Sequence, residues 1–375
     1  MSSVPFNDLK DLHRPDRESF HNILDQLLDS SAFIGGESVS SFENAFARFC
    51  ETPGCVGTSS GTDALYVALK CMEVSPGDAV ITAPNSFIAT AEAISMCGAT
   101  PVFVDISEDD LNLDPQALEV ALASHPLRDH FKVILPVHLH GRPARMAQIS
   151  DLAKIYKLHI LADGAQAHGA RYQDKSINSW ARATTYSFYP GKNLGALGDA
   201  GAIVSHDEAL LSRMKAYSNH GRADKYLHSE VGCNARLDAL QAAFLSLKLE
   251  KLGEQTRLRQ KVATRYQEAL KDLPFLELPR DQEDVDVVYH LFVLLSDHRD
   301  QLQEHLKKQG IQTGVHYPVP LHLQKAYSNL GYKKGDFPIA EAQARRTLSL
   351  PLFPHISDEQ VDQVIKSVKS FKPGE

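Results

Sequence analysis

The feature that most constrains this fold is an alternation running from about residue 55 to residue 205, in which short β-rich apolar runs take turns with helical stretches. The apolar residues of those longer stretches recur every three to four positions. A parallel strand pair needs a crossover long enough to hold a helix, so the alternation predicts an α/β domain built on a mostly parallel sheet. The expected strands are 78–82, 101–105, 132–137, 159–162, 184–188 and 201–205, and the expected helices are 62–72, 88–96, 115–123 and 146–156. Several of these strands end in unusual loops: Pro84-Asn85-Ser86-Phe87, His138-Leu139-His140-Gly141, Asp163-Gly164-Ala165-Gln166 and Tyr189-Pro190-Gly191-Lys192. Ligands gather beyond the carboxyl ends of strands in open α/β sheets, so the loops are expected to face one site.

After residue 205 the pattern changes. Two long helices are expected at 236–251 and 255–270, with Gly253 as the break between them. A strand near 287–295, a helix at 299–308 and the segment His316-Tyr317-Pro318-Val319-Pro320 follow. At 375 residues the chain exceeds what one core usually supports. It is therefore expected to divide into a large ligand-binding domain with the N-terminal segment, residues 1–255, and a smaller C-terminal α/β domain, residues 256–375. Two domains imply a cleft.

The net charge of −8, with no block of Lys and Arg to offset it, argues against nucleic acid or an anionic membrane as partner. No apolar run approaches the roughly 20 residues of a membrane span, and the start MSSVPFNDLKDL lacks the basic and apolar regions of a signal peptide. A cytoplasmic location is expected. The five cysteines are odd in number and contain no C-x-x-C pair, so they read as small buried hydrophobes. His138 and His140 alternate and should point to opposite faces, without acidic or cysteine neighbours, so no metal site is expected there.

The small molecules left as ligands meet three candidate groups. Lys192 lies in a glycine-rich turn, Ser187-Phe188-Tyr189-Pro190-Gly191-Lys192-Asn193-Leu194-Gly195, where an amine on a flexible stem can form a Schiff base if it loses its proton. Asp163 follows an apolar strand directly, a place where a carboxylate is partly buried and wants a cationic partner; a protonated pyridine nitrogen is one. Ser59-Ser60-Gly61-Thr62 stands at a helix start, where N–H groups and the helix dipole suit a phosphate, although a plain Ser or Thr N-cap is an equally simple reading. Together the three form the set needed for pyridoxal 5'-phosphate.

The segments PNSFIATAEAI, GATPVFVDI, PVHLHGRPA, ADGAQAHGA, SFYPGKNLGALGDAGAIV, GCNARLDALQAA, VHYPVPLHLQKAY and LSLPLFP resemble the DegT/DnrJ/EryC1 family of sugar aminotransferases, over essentially the whole chain. The resemblance implies a fold-type-I, aspartate aminotransferase-like large domain. It implies that Lys192 holds pyridoxal 5'-phosphate as an internal aldimine and serves as the catalytic base, and that Asp163 keeps the pyridine nitrogen protonated. Gln166 matches a contact to the ring O3', Phe87 an aromatic against the ring face, and Gly61, Thr62 and Ser187 a phosphate cup. Asn234 matches an asparagine that reaches the phosphate of the neighbouring subunit's cofactor, which implies a homodimer with shared sites; helix N-capping is the other role open to it. His316, Tyr317 and His322 fall in the region that lines the sugar pocket.

The expected reaction is amination of a keto carbon, at C3, of a nucleotide-linked deoxysugar, with L-glutamate as donor. A C4 keto-sugar or inosose aminotransferase, or a non-catalytic regulator that binds pyridoxal phosphate or a sugar nucleotide, are the alternatives. Some family members are dehydratases in which a histidine replaces the lysine; this chain keeps Lys192.

Overall fold

In the computed structural model, which describes residues 3–374, the alternating region forms a seven-stranded sheet. Its strands are β1 (Gly54–Thr58), β2 (Ala79–Thr82), β3 (Thr100–Phe103), β4 (Phe131–Leu135), β5 (His159–Asp163), β6 (Ala183–Ser187) and β7 (Gly201–Ser205). They lie in the order β1-β7-β6-β5-β4-β2-β3. The run from β3 to β6 is parallel, while β7 is antiparallel to both β6 and β1. Strands β2, β4 and β5 carry residues such as Val80, Ile81, Ile134 and Leu161, all fully buried, because helices cover both faces of the sheet.

All six expected strands are present within about two residues. The seventh, β1, has the sequence GCVGT, whose two glycines erase any apolar alternation. Gly57 is required there by packing, since a Cβ would stand 2.8 Å from the Leu237 side chain.

The expected break at Gly253 does not occur. Ala239–Leu270 is one helix of 32 residues, capped by Asp238, whose carboxylate accepts from the Gln241 N–H. Gly253 faces open space. A glycine inside a helix costs about 1 kcal/mol relative to alanine, whereas burying one leucine or valine returns about 1.5–3 kcal/mol. Leu245 and Leu252 before Gly253, and Val262 and Tyr266 after it, are all buried, so tertiary packing overrides the local preference. The division at 255/256 thus passes through a continuous helix.

A second core lies on the C-terminal half of that helix. The antiparallel pair β8 (Phe292–Leu295) and β9 (Thr347–Leu350) packs with the helices Arg299–Lys308 and Asp358–Lys369 and with Tyr266 and Leu270. Val4 belongs to this core and hydrogen-bonds with Gly310 and Gln312, so the start of the described chain packs on the smaller domain rather than on the large one. All five cysteines are free, four of them buried, and no helix among the described residues is long and apolar enough to cross a membrane.

Candidate active site

A cavity of about 640 Å³ opens between the carboxyl ends of the strands and the smaller domain. Gly61, Thr62, Phe87, Asp163, Gln166, Ser187, Lys192, His316 and Tyr317 line it, so nine of the eleven sequence-selected residues meet there.

Helix Gly61–Cys71 follows β1 and points its N-terminus into the cavity. Ser60 is its N-cap, its hydroxyl accepting from the Asp63 N–H at 3.0 Å, so the plain capping role is real. The cap leaves the N–H groups of Gly61 and Thr62, which have no carbonyl of their own helix to reach. A Cβ on Gly61 would stand 2.5 Å from Ser187 Cβ, and one on Gly201 would stand 2.3 Å from the Ser60 carbonyl oxygen. Hydrogen at both positions keeps helix start, Ser187 and the β7 strand together as a small concave surface rich in N–H and hydroxyl donors.

Asp163 ends β5 and is 5 % exposed. Burial lifts its carboxyl above the ordinary aspartate range; the Ala165 N–H at 3.0 Å, the Thr90 hydroxyl at 2.9 Å and the charge of Lys192 pull the other way. Desolvation is the largest of these influences, so a further cation beside the carboxyl would favour its charged form.

Lys192 sits on a loop fixed from several sides. Its own N–H bonds to the Tyr189 carbonyl at 2.8 Å, Ala196 bonds to Phe188 at 2.7 Å, and Asn193 Nδ2 donates to the Val288 carbonyl at 2.9 Å. Gly195 passes so close to Pro190 that a Cβ would lie 2.3 Å from its carbonyl oxygen. Open to the cavity but shielded from bulk water, the amine has its pKa lowered by burial to about 8, against an upward pull from Asp163. A substantial neutral fraction at physiological pH is what a nucleophilic amine needs. Three imidazoles share the neighbourhood: burial, with Lys192 adding to it, lowers His168 to about 3 and His316 to about 4, and drives His290 well below its usual value. All three are neutral, so the positive charge of the cavity lies on Lys192 and Arg259.

Opposite the loop, Gln166 Oε1 accepts from the His140 N–H at 2.6 Å, which turns its Nε2 toward Tyr317 Oη at 3.4 Å. Phe87, 54 % exposed, has its ring 5.8 Å from that of Tyr317. His316 Nδ1 pairs with Ser349 Oγ at 2.9 Å.

A scan against family models matches residues 15–369 to the DegT/DnrJ/EryC1/StrS aminotransferase family. The chain belongs to that family. This DegT-family chain, which keeps the lysine, is a pyridoxal-phosphate-dependent aminotransferase. It is 42 % identical to the dTDP-3-amino-3,4,6-trideoxy-alpha-D-glucose transaminase of Streptomyces venezuelae, over 98 % of this chain and 96 % of that one. To the dTDP-3-amino-3,6-dideoxy-alpha-D-galactopyranose transaminase of Aneurinibacillus thermoaerophilus it is 40 % identical, over 98 % and 99 %. The crystal structure of S. venezuelae DesV in complex with a ketimine intermediate superposes with a TM-score of 0.94 at 42 % identity, covering 98 % of both chains.

Two sequence-selected residues of this DegT-family chain do not join the cavity. His322 is 2 % exposed, with Nε2 3.1 Å from Glu341 Oε1 and its ring 4.7 Å from that of Phe337; the turn Leu321–Leu323 buries it in the core, so it cannot touch a ligand. Asn234 is exposed outside the cavity, its Oδ1 accepting from Arg236 Nε at 3.1 Å. The capping role is not its own either, because the next helix starts at Ala239 and Asp238 caps it. His138 and His140 lie past the end of β4 in a turn, not on a strand, and both rings are buried, with the Ala144 N–H donating to His138 Nδ1.

The structure adds Thr90, His290 and Arg259 to the cavity lining. Thr90 was within reach of sequence reasoning, since it lies one turn beyond Phe87 on the helix Ile88–Met96. His290 and Arg259 carry no local signal.

Proposed function

We propose that this aminotransferase converts the C3 keto group of a nucleotide-linked deoxysugar to an amine, with L-glutamate as donor, as a homodimer with shared sites. The observation that carries the chemistry is the cavity-facing pair of Lys192 and Asp163, an amine held partly neutral and a buried carboxyl whose charged form burial disfavours. Both relatives above are named for dTDP-3-amino sugars, which favours C3 and a dTDP-linked acceptor.

The residues fit pyridoxal 5'-phosphate. Gly61, Thr62 and Ser187 offer N–H and hydroxyl donors at a helix N-terminus for the phosphate, where any Cβ on Gly61 would fill the cradle. Asp163 would pair with the ring nitrogen, Gln166 with the ring hydroxyl, and Phe87 would lie against the ring face. Bound there, the cofactor supplies an electron sink for the carbon that bears the amine. Lys192 Nζ would hold its aldehyde and, once released, take the proton from that amine-bearing carbon; its depressed pKa suits the exchange near neutral pH. Asp163 holds its proton-accepting oxygens still through Thr90 and Ala165. Phe87, His316 and Tyr317 line the same cavity, where their rings would shield the reacting carbon from water.

The shared site is supported by an apolar surface. Phe33, Ile34, Leu197, Tyr226, Leu227 and Val231 are 40–93 % exposed, and Phe33 and Ile34 bond to the segment that carries Asn234 through to Asp238 and Ala239. Scattered exposed apolar residues need no explanation, but exposed apolar residues on and beside the segment that carries Asn234 favour a second copy as what covers it.

A two-stage experiment tests the reading. Pyridoxal 5'-phosphate should give the purified protein a visible absorption band, L-glutamate should bleach it, and a dTDP-linked 3-keto sugar should restore it. Restoration by a 4-keto sugar or an inosose alone would replace the C3 assignment, and a protein that never colours would overturn the catalytic one.

A further inference from the structure

Arg259 is unlike the other cations of the large cavity. It projects from the long helix Ala239–Leu270, is 4 % exposed, and lines the cavity beside His290 and Leu352. Its Nη1 donates to the Leu352 carbonyl at 2.9 Å and, more weakly, to the Tyr289 carbonyl at 3.5 Å. Among the described residues no Asp or Glu pairs with it, and its Nε and Nη2 have no acceptor. Buried charges are ordinarily paired, and an unpaired one carries a large desolvation cost. Burial alone lowers this guanidinium to about 10, still well above physiological pH, so the charge stays in place.

The free side of the guanidinium has a definite shape. Nε and Nη2 present two parallel N–H groups, the fork that takes a planar carboxylate through two hydrogen bonds. The fork and the catalytic amine share one cavity: Arg259, His290 and Lys192 all line it, and His290 stands close enough to feel both charges. Asp163 and Asp199 are the acidic side chains of the cavity lining among the described residues. In the proposed function Asp163 is committed to the ring nitrogen, and Asp199 makes no ion pair with Arg259, which leaves this cation to be neutralised by a ligand.

We propose that Arg259 is the carboxylate anchor of the amino donor, binding one carboxylate of an amino dicarboxylate through its Nε and Nη2 edge while the donor's amine would displace Lys192 Nζ from the aldehyde carbon it holds. This rests on the donor reading above. A sugar nucleotide also brings an anion, its diphosphate, but a nearly enclosed edge with two N–H groups suits a small planar carboxylate better than a branched polyanion.

The test separates the two ligands. Glutarate, a dicarboxylate with no amine to transfer, should bind the wild-type holoenzyme in a calorimeter, and Arg259→Met should weaken it by at least about 30-fold, the effect of removing one partner of a desolvated charge pair. Arg259→Lys, which keeps the charge but not the fork, should fall between them and serves as the reference should the Met variant fail to fold. The L-glutamate concentration that half-saturates bleaching of the cofactor band should rise in parallel, while restoration by the keto-sugar nucleotide stays within about threefold. Unchanged glutarate affinity in both variants overturns the proposal, as does a selective loss of dTDP binding, which would make Arg259 a diphosphate contact. Equal damage to both half-reactions also overturns it, in favour of a purely structural arginine. If L-glutamate fails to bleach the wild-type band at all, it is the donor reading that falls.

Discussion

Two lysines meet at one loop, and burial lowers both to about 8. Lys192 belongs to the loop and faces the cavity; Lys248 rises from the long helix Ala239–Leu270 and does not reach it. Lys248 is 4 % exposed and donates to the carbonyl of Gly195, three residues past Lys192, and at 2.9 Å to His13 Nε2. His13 can accept because burial and the nearby Lys248 charge hold it neutral, near 4. Lys192 Nζ has no hydrogen-bond acceptor among the described residues. A depressed amine is therefore not yet a catalyst. Open space before the nitrogen and a carboxyl across the cavity make Lys192 one, whereas two acceptors make Lys248 a brace for the same loop.

The largest effect should come from exchanging the fates of the two. Lys192→Ala should lower turnover by at least about 10⁴-fold and abolish the visible band. Lys248→Ala should keep that band. The reverse outcome would break the comparison. The pH dependence sharpens it further: a lysine lowered from about 10.4 to about 8 becomes a free amine as pH rises through 8. The rate at which apoprotein captures pyridoxal 5'-phosphate should climb with a midpoint near 8 and then level; a midpoint above 10 would mean that burial does not set the amine's proton affinity.

Asp163→Asn comes next, at about 10²- to 10³-fold in turnover, because the negative charge is lost while the local bonds can be kept, the amide oxygen accepting from the Ala165 N–H and Nδ2 donating to the Thr90 hydroxyl, which turns to accept. Single-turnover bleaching with L-glutamate reads it directly. A smaller loss is expected from Lys248→Met. Leaving the Gly195 carbonyl and His13 Nε2 without a donor should cost about 1–3 kcal/mol in denaturant unfolding and lower turnover by about tenfold. A variant with intact stability and intact turnover would show that the loop needs no brace.

Lys192, Asp163 and Gly61 were legible because each is fixed by local pattern: a strand end, a glycine-rich turn, a small residue before a helix. Lys248 and Arg259 were not. Both lie on one long helix, and helical periodicity identifies a buried face without saying what it is buried against; their partners His13, Gly195 and Leu352 stand 53 to 235 residues away in sequence. The same limit explains Gly253, whose local tendency to end a helix was outweighed by Leu252 and Val262, buried on either side of it. The strands from β2 to β7 followed from alternation, but β1 did not, because its glycines serve close packing against Leu237 rather than a two-residue repeat.

The smallest kinetic effect should come from His322, and it tests the same distinction between a residue that faces the cavity and one that only resembles such a residue. His316 and His322 stand six residues apart in one proline-rich segment and read alike in sequence. In the fold, His316 lines the cavity, while the turn Leu321–Leu323 rotates His322 onto Glu341 and Phe337 in the core. His322→Leu should remove Glu341's imidazole partner and cost about 1–3 kcal/mol of stability, yet leave the half-saturating concentrations of donor and sugar nucleotide unchanged. His316→Leu should do the opposite, raising the sugar-nucleotide requirement with little change in the unfolding midpoint. If His322→Leu instead raised that requirement at undiminished stability, its imidazole would have to swing out of the core toward the ligand, which would mean separating it from Glu341 and leaving a buried carboxylate without its partner.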